Sequence, residues 1–110
     1  MAESQLPDID LKNIPITKIL KSLSDPTRLA IITRLENDGT EISCAEFDHL
    51  GKKSNLSQHY RNLRLSGLIS IRREGRHSYL SLRKDDLDKE FPDLIESIVK
   101  SINGHNSIGI

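Results

Sequence analysis

Apolar residues recur at helical spacing near both ends of the chain, and polar start and stop signals separate these stretches. A helix is predicted over residues 14–23, and a closing helix over residues 92–103 ends before Gly104. Each carries one apolar stripe. The stripe residues are Ile16, Ile19, Leu20 and Leu23 in the first helix, and Leu94, Ile95, Ile98, Val99 and Ile102 in the last. Two exposed stripes would need further burial, which favours packing against a second copy.

Between these stretches the pattern predicts three further helices. One begins after Asp25, where Pro26 suits a first helical position, and it ends near residues 37–39. A short strand or turn leads to a short helix over residues 44–50. The next helix runs from a capping Ser54 to Ser66. One face of it is wholly polar at spacings of three and four, and carries Asn55, Gln58, His59 and Asn62.

The period then changes from helical spacing to alternation. Residues 68–73 and 77–82 alternate apolar with polar side chains around a turn at residues 74–76, so a β-hairpin is predicted. The fold class expected is mainly α with a small β-hairpin, a winged helix-turn-helix in the order α-α-α-α-β-β-α. Its domain would span residues 14–103, between a flexible N-terminal segment (residues 1–13) and a C-terminal tail (residues 104–110).

The formal net charge is zero, but the charges are not evenly distributed. Residues 52–77 hold seven of the 16 basic residues and only Glu74 as an acid, so this segment carries +6 and the rest of the chain −6. A basic helix and hairpin beside a polar helix face are the expected footprint of a phosphate backbone. Short polar side chains can reach base edges in the major groove, while arginines on the hairpin hold phosphates or enter the minor groove.

Double-stranded DNA is therefore the expected partner. The candidate DNA-binding residues are Ser54, Asn55, Ser57, Gln58, His59, Arg61 and Asn62 on the helix, and Arg72, Arg73, Arg76 and His77 on the hairpin.

Four segments in order resemble the ArsR/SmtB family of bacterial winged-helix repressors. They are LSDPTRLAII at residues 23–32, SNLSQHYRNLR at 54–64, SGLI at 66–69 and RREGRHSYLSL at 72–82. The resemblance implies a homodimer that binds a palindromic operator and represses transcription, with residues 54–64 as its recognition helix. It also implies that the first and last helices build the dimer, through Ile16, Ile19, Leu20, Leu94, Ile95, Ile98, Val99 and Ile102.

The sequence departs from the family where relatives bind metals. The Cys-x-Cys pair of metal-sensing relatives would lie at positions 43 and 45, which are Ser43 and Ala45 here. Residues 92–103 contain no histidine for the zinc site that other relatives carry on the last helix. Zinc takes about four nitrogen, sulfur or oxygen ligands, so we expect no metal site and no cofactor.

Two alternatives stay open. Cys44 could act as a redox switch, although a single thiol cannot close a bridge within one chain and a free cysteine is commonly an apolar packing residue. A winged helix could also serve only protein contact, in which case an apolar or acidic recognition face is expected.

No catalytic arrangement stands out, so an enzyme is not expected. The lone cysteine and the lack of a signal peptide or membrane span suit a bacterial cytoplasm. The inducer and the operator sequence are left open.

Overall fold

Helices pack around a small antiparallel sheet. The structure, a computed structural model, describes residues 3–105, and side chains from residue 4 onward. The elements are β1 (Glu3–Gln5), a 3₁₀ helix (Leu11–Asn13), α1 (Ile16–Leu23), α2 (Pro26–Asp38), β2 (Ile42–Ser43), a second 3₁₀ helix (Cys44–Leu50), α3 (Lys53–Leu65), β3 (Ile69–Glu74), β4 (His77–Leu82), α4 (Lys84–Glu90) and α5 (Leu94–His105). Within residues 3–105 no helix is long and apolar enough to cross a membrane.

The sheet is built on the hairpin β3–β4, with β1 added beside β3 and β2 beside β4. Glu74 pairs with His77, so the hairpin turns through Gly75 and Arg76 alone. Gly75 has a φ of 62°, a left-handed conformation that glycine adopts without a steric penalty. We call residues 69–82 the wing. The mainly helical architecture with a small antiparallel hairpin confirms the predicted winged helix-turn-helix class.

One apolar core joins the helices to the sheet. The predicted helix stripes and hairpin alternation supply most of it, because each buries one face. Its largest fully buried apolar side chains are Phe47, Ile19, Ile31, Ile32, Leu35, Leu63, Leu68, Ile69, Leu80, Leu87 and Val99.

The start of α2 forms as its sequence predicts. The Asp25 carboxylate accepts a hydrogen bond of 3.0 Å from the backbone N–H of Arg28, and Pro26 occupies the first turn. The predicted cap of α3 is wrong: α3 begins at Lys53, so Ser54 lies inside the first turn and caps nothing. Extended backbone at Lys52 places the cap position there, so the helix starts two residues earlier than a Ser54 cap required.

Two segments without a predicted element are ordered by contacts with distant parts of the chain. Residues 3–5 form β1 on the edge of β3, and Leu11 is buried in the core. The acidic stretch after the hairpin forms α4, anchored by the buried Leu87. At the C-terminus α5 includes Gly104 and His105, which had been assigned to a tail, and the remaining tail residues 106–110 lie outside the described part of the chain, as do residues 1–2.

Candidate nucleic-acid interface

The exposed face of α3 carries polar side chains that the protein does not use. Ser54, Asn55, Ser57, Gln58 and Arg61 are exposed, and their side chains form no hydrogen bond or ion pair within residues 3–105. Leu56 and Leu63, on the opposite face, are buried and anchor the helix. The burial of one face leaves the donors and acceptors of the other face available to an outside partner.

His59 and Asn62, predicted on this DNA-binding face, instead contact neighbouring helices. His59 Nδ1 lies 3.2 Å from an Arg28 guanidinium nitrogen and 3.8 Å from an Asp25 oxygen. The Asn62 side-chain oxygen accepts a hydrogen bond of 2.7 Å from the buried Ser22 hydroxyl. Both side chains therefore hold α3 against α1 and α2, and the predicted polar stripe is divided between internal and external partners.

Arg72, predicted to bind DNA, is paired within the protein. Its guanidinium contacts Glu41 at 2.7 and 3.0 Å and Glu74 at 2.6 Å, and it lies 4.4 Å above the Tyr79 ring centroid. The bonded Arg72 guanidinium lowers the pKa of the Glu41 carboxyl. Two carboxylates contact this arginine, so it is less available to a phosphate than the prediction assumed.

The neighbouring wing cations remain available. Arg73 and Arg76 are exposed and form no ion pair in the described part of the chain, and His77 is exposed beside them. Alternation along β3 places Arg73 on the sheet face opposite to Arg72, the face on which Ile69 and Ile71 are buried, while Arg73 itself is exposed near the hairpin turn.

Most of these polar and basic side chains, though not Ser54 and Asn55, line one cleft between α3 and the wing. The cleft has a volume of about 510 Å³. Its polar lining includes Ser57, Gln58, Lys53, Arg61, Arg64, Arg73, Arg76 and His77. Among the described residues that line it, Asp48 alone carries a carboxylate, so this lining is strongly cationic. Lys53 was absent from the predicted site, although its place in the basic segment was a usable signal.

Cys44 also lines this cleft, but its thiol is a weak acid there. Burial, and secondarily the nearby Asp48 charge, raise the pKa of the Cys44 thiol to about 11. The thiolate is the reactive form and the metal ligand, so little of it exists at neutral pH. Among the described residues no three His, Cys, Asp or Glu side chains gather into a metal site.

The candidate dimer residues divide into two sets. Ile19, Ile95 and Val99 are at most 5% exposed and belong to the chain's own core. Ile16 and Leu20 are each 46% exposed. Leu94, Ile98 and Ile102 on α5 are half-buried. The apolar surface left on α1 and α5 is therefore smaller than the two stripes predicted.

Comparison with known proteins identifies the class of protein. No family model matches the chain. An uncharacterized HTH-type transcriptional regulator of Bacillus subtilis (strain 168), YceK, is 40% identical over 86 residues, which cover 74% of this chain and 83% of the relative. An uncharacterized HTH-type transcriptional regulator of Methanocaldococcus jannaschii, MJ1325, is 32% identical over 82 residues, or 74% of this chain and 91% of the relative. The chain therefore belongs to the helix-turn-helix transcriptional regulators.

Proposed function

We propose that this regulator binds double-stranded DNA sequence-specifically as a homodimer and represses transcription in the manner of ArsR-type proteins, without a metal sensor. One observation carries the proposal. Ser57, Gln58 and Arg61 of α3 line the same cationic cleft as Arg73 and Arg76 of the wing, and none of these five side chains has a partner among the described residues. A base-reading face and a phosphate-binding face thus lie side by side, as DNA recognition requires.

On DNA, α3 enters the major groove with its exposed face toward the bases. Gln58 forms paired hydrogen bonds with an adenine, and Ser54, Asn55 and Ser57 contact bases or phosphates near the start of the helix. Arg61, Arg73 and Arg76 bind the backbone or the minor groove beside it. Since phosphate contacts do not distinguish bases, specificity rests on α3 and general affinity on the arginines.

The homodimer rests on the apolar surface of α1 and α5. Ile16 and Leu20 expose nearly half of their surface, and Leu94, Ile98 and Ile102 add half-buried apolar atoms. Both helices pack on α2, so one helix supports both apolar surfaces. A two-fold dimer presents two copies of α3, so its operator is palindromic.

The two alternatives receive less support. A redox switch needs a reactive thiolate, whereas the pKa of Cys44 is raised to about 11 by burial. A winged helix used only for protein contact would present an apolar or acidic recognition face, whereas the exposed face of α3 is polar and borders four free cations. These are Lys53, Arg61, Arg73 and Arg76.

Selection of bound duplexes from a random library tests the proposal. We expect enrichment of a palindromic sequence, and fluorescence anisotropy should show affinity falling steeply with salt, by roughly 0.9 in log–log slope for each phosphate contact. Arg61→Ala should reduce that slope, whereas the control Lys89→Ala, on the exposed surface of α4, should not. Failure to enrich any sequence, together with a slope near zero, would contradict DNA binding.

A further inference from the structure

The N-terminal segment is joined to the wing by backbone pairing. Ser4 lies opposite Arg73 and Gln5 opposite Arg72 in the antiparallel register of β1 and β3. The N–H of Leu6 then donates a hydrogen bond of 3.0 Å to the carbonyl of Ile71. β1 thereby adds a fourth strand to the sheet, so β3 is paired on both sides, and a strand paired on both sides holds its direction better than an edge strand does.

Side-chain contacts anchor the next three residues of this segment. A guanidinium nitrogen of Arg64, in the last turn of α3, donates to the carbonyl of Pro7 at 2.8 Å. The Ser70 hydroxyl, on β3, donates to the Asp8 carboxylate at 2.9 Å. Arg83, which follows β4, donates to the carbonyl of Ile9. The segment therefore contacts the last turn of α3, strand β3 and the residue that follows β4.

Leu11 completes the attachment at the joint between α3 and the wing. It is 4% exposed and packs over Gly67, in the turn that leaves α3. A Cβ on Gly67 would lie 2.3 Å from a Leu11 methyl carbon, so a side chain at 67 would require the Leu11 side chain to shift. Gly67 also has a φ of 83°, which disfavours any other residue.

We infer that residues 4–11, here called the arm, are a positioning element that holds the wing at a set orientation to the recognition helix. The inference rests on the proposed function. Arg73 and Arg76 can reach phosphates while α3 occupies the groove only if the wing keeps this orientation. The affinity for DNA then depends on arm residues, of which only Leu6 lines the cleft and none belongs to the predicted DNA-binding set.

Asp8 separates this positioning effect from simple electrostatics. Removing its negative charge should strengthen attraction to DNA if charge alone matters, and weaken binding if the Ser70 contact matters. The disrupting variant combines Leu6→Ala with Asp8→Ala. The control Asp8→Asn has the same net charge as the double variant, but it keeps a side-chain oxygen that can accept a hydrogen bond from the Ser70 hydroxyl.

The experiment compares full-length wild type with these variants. Hydrogen exchange should accelerate in the wing of the double variant while α2 stays protected. Its affinity for the selected operator should fall about fivefold, a size typical of positions that act without touching the ligand. The salt slope should become shallower, because wing phosphate contacts are lost. In an Arg73→Ala/Arg76→Ala background the same arm change should have little further effect, and Asp8→Asn should resemble wild type.

Two results would overturn the inference while leaving DNA binding intact. One is an equal rate of hydrogen exchange in the wing of the wild type, the double variant and Asp8→Asn. The other is an affinity loss that adds in full to that of Arg73→Ala/Arg76→Ala. Should the double variant fail to fold, Ser70→Ala removes only the hydroxyl and is measured in the same way. A wild type that binds no DNA would instead overturn the proposed function, and the inference with it.

Discussion

The Arg72 guanidinium and the Glu41 carboxylate, 31 residues apart, form a two-point contact at 2.7 and 3.0 Å on the outer face of the sheet. Both partners are partly shielded, with 21% and 36% of their side-chain surfaces exposed. Two parallel hydrogen bonds between planar groups give such a pair geometric specificity. This contact links the wing to the residue just before β2, so it belongs to folding rather than to DNA.

Arg72→Ala should therefore reduce stability and leave DNA affinity nearly unchanged. The loss should be about 1 kcal/mol in the free energy of unfolding, since the pair is only partly shielded. Because Arg72 lowers the pKa of Glu41, the pair's contribution is fully present above the ordinary carboxyl pKa near 4.5 and disappears as the pH falls through the lower folded value. Denaturant unfolding of both proteins at several pH values measures it. A stability gap that is constant down to strongly acidic pH would contradict this account.

Gln58→Ala and Arg73→Ala should weaken DNA binding in different ways. Loss of a paired contact to a base should reduce the preference for the operator over random duplex by ~1–3 kcal/mol. Loss of a phosphate contact should weaken binding to both duplexes alike and lower the salt slope by roughly 0.9 per subunit. Anisotropy titrations of each variant on both duplexes distinguish the two roles. Identical behaviour of the two variants would show that the roles are wrongly assigned.

Leu20→Asp should shift a dimer toward monomers, because it places a charge within the exposed apolar surface of α1. Lys18→Asp is the control: it makes a larger charge change on another exposed face of the same helix. Sedimentation velocity should show a lighter species for Leu20→Asp only, and operator affinity should fall with it. Equal assembly of the two variants would place the dimer contacts elsewhere.

Cys44→Ser should keep both the fold and DNA binding, with about 1 kcal/mol of stability lost through poorer packing. In the wild type, alkylation by iodoacetamide should be slow at pH 7 and accelerate toward pH 11, since burial raises the pKa of the thiol to about 11. Zinc, cadmium or arsenite at low micromolar concentration should not release DNA in anisotropy titrations. Metal-dependent release that disappears in Cys44→Ser would restore a metal sensor.

The local patterns of the sequence predict most of the helices and the hairpin, since these depend on neighbouring residues. Asp25 before Pro26 specifies the start of α2, and a turn at residues 74–76 was predicted where the structure turns through Gly75 and Arg76. Hydrophobic periodicity shows which faces are buried because that periodicity follows from backbone geometry. The same patterns, with the separation of charge, also indicate the helix-turn-helix class and the part of the chain that carries the cationic surface.

Contacts between distant residues decided which of these side chains remain available. Arg72 and Arg73 are adjacent and equally basic, yet alternation places them on opposite faces, and Glu41 lies on only one of these faces. Asn62 is bound by Ser22, 40 residues earlier. Such partners follow from how helices and strands pack across the molecule, and no local spacing encodes them. The sequence therefore determined most of the elements and the charge of the surface, whereas the tertiary structure decided which charges and hydrogen-bonding groups are left for DNA.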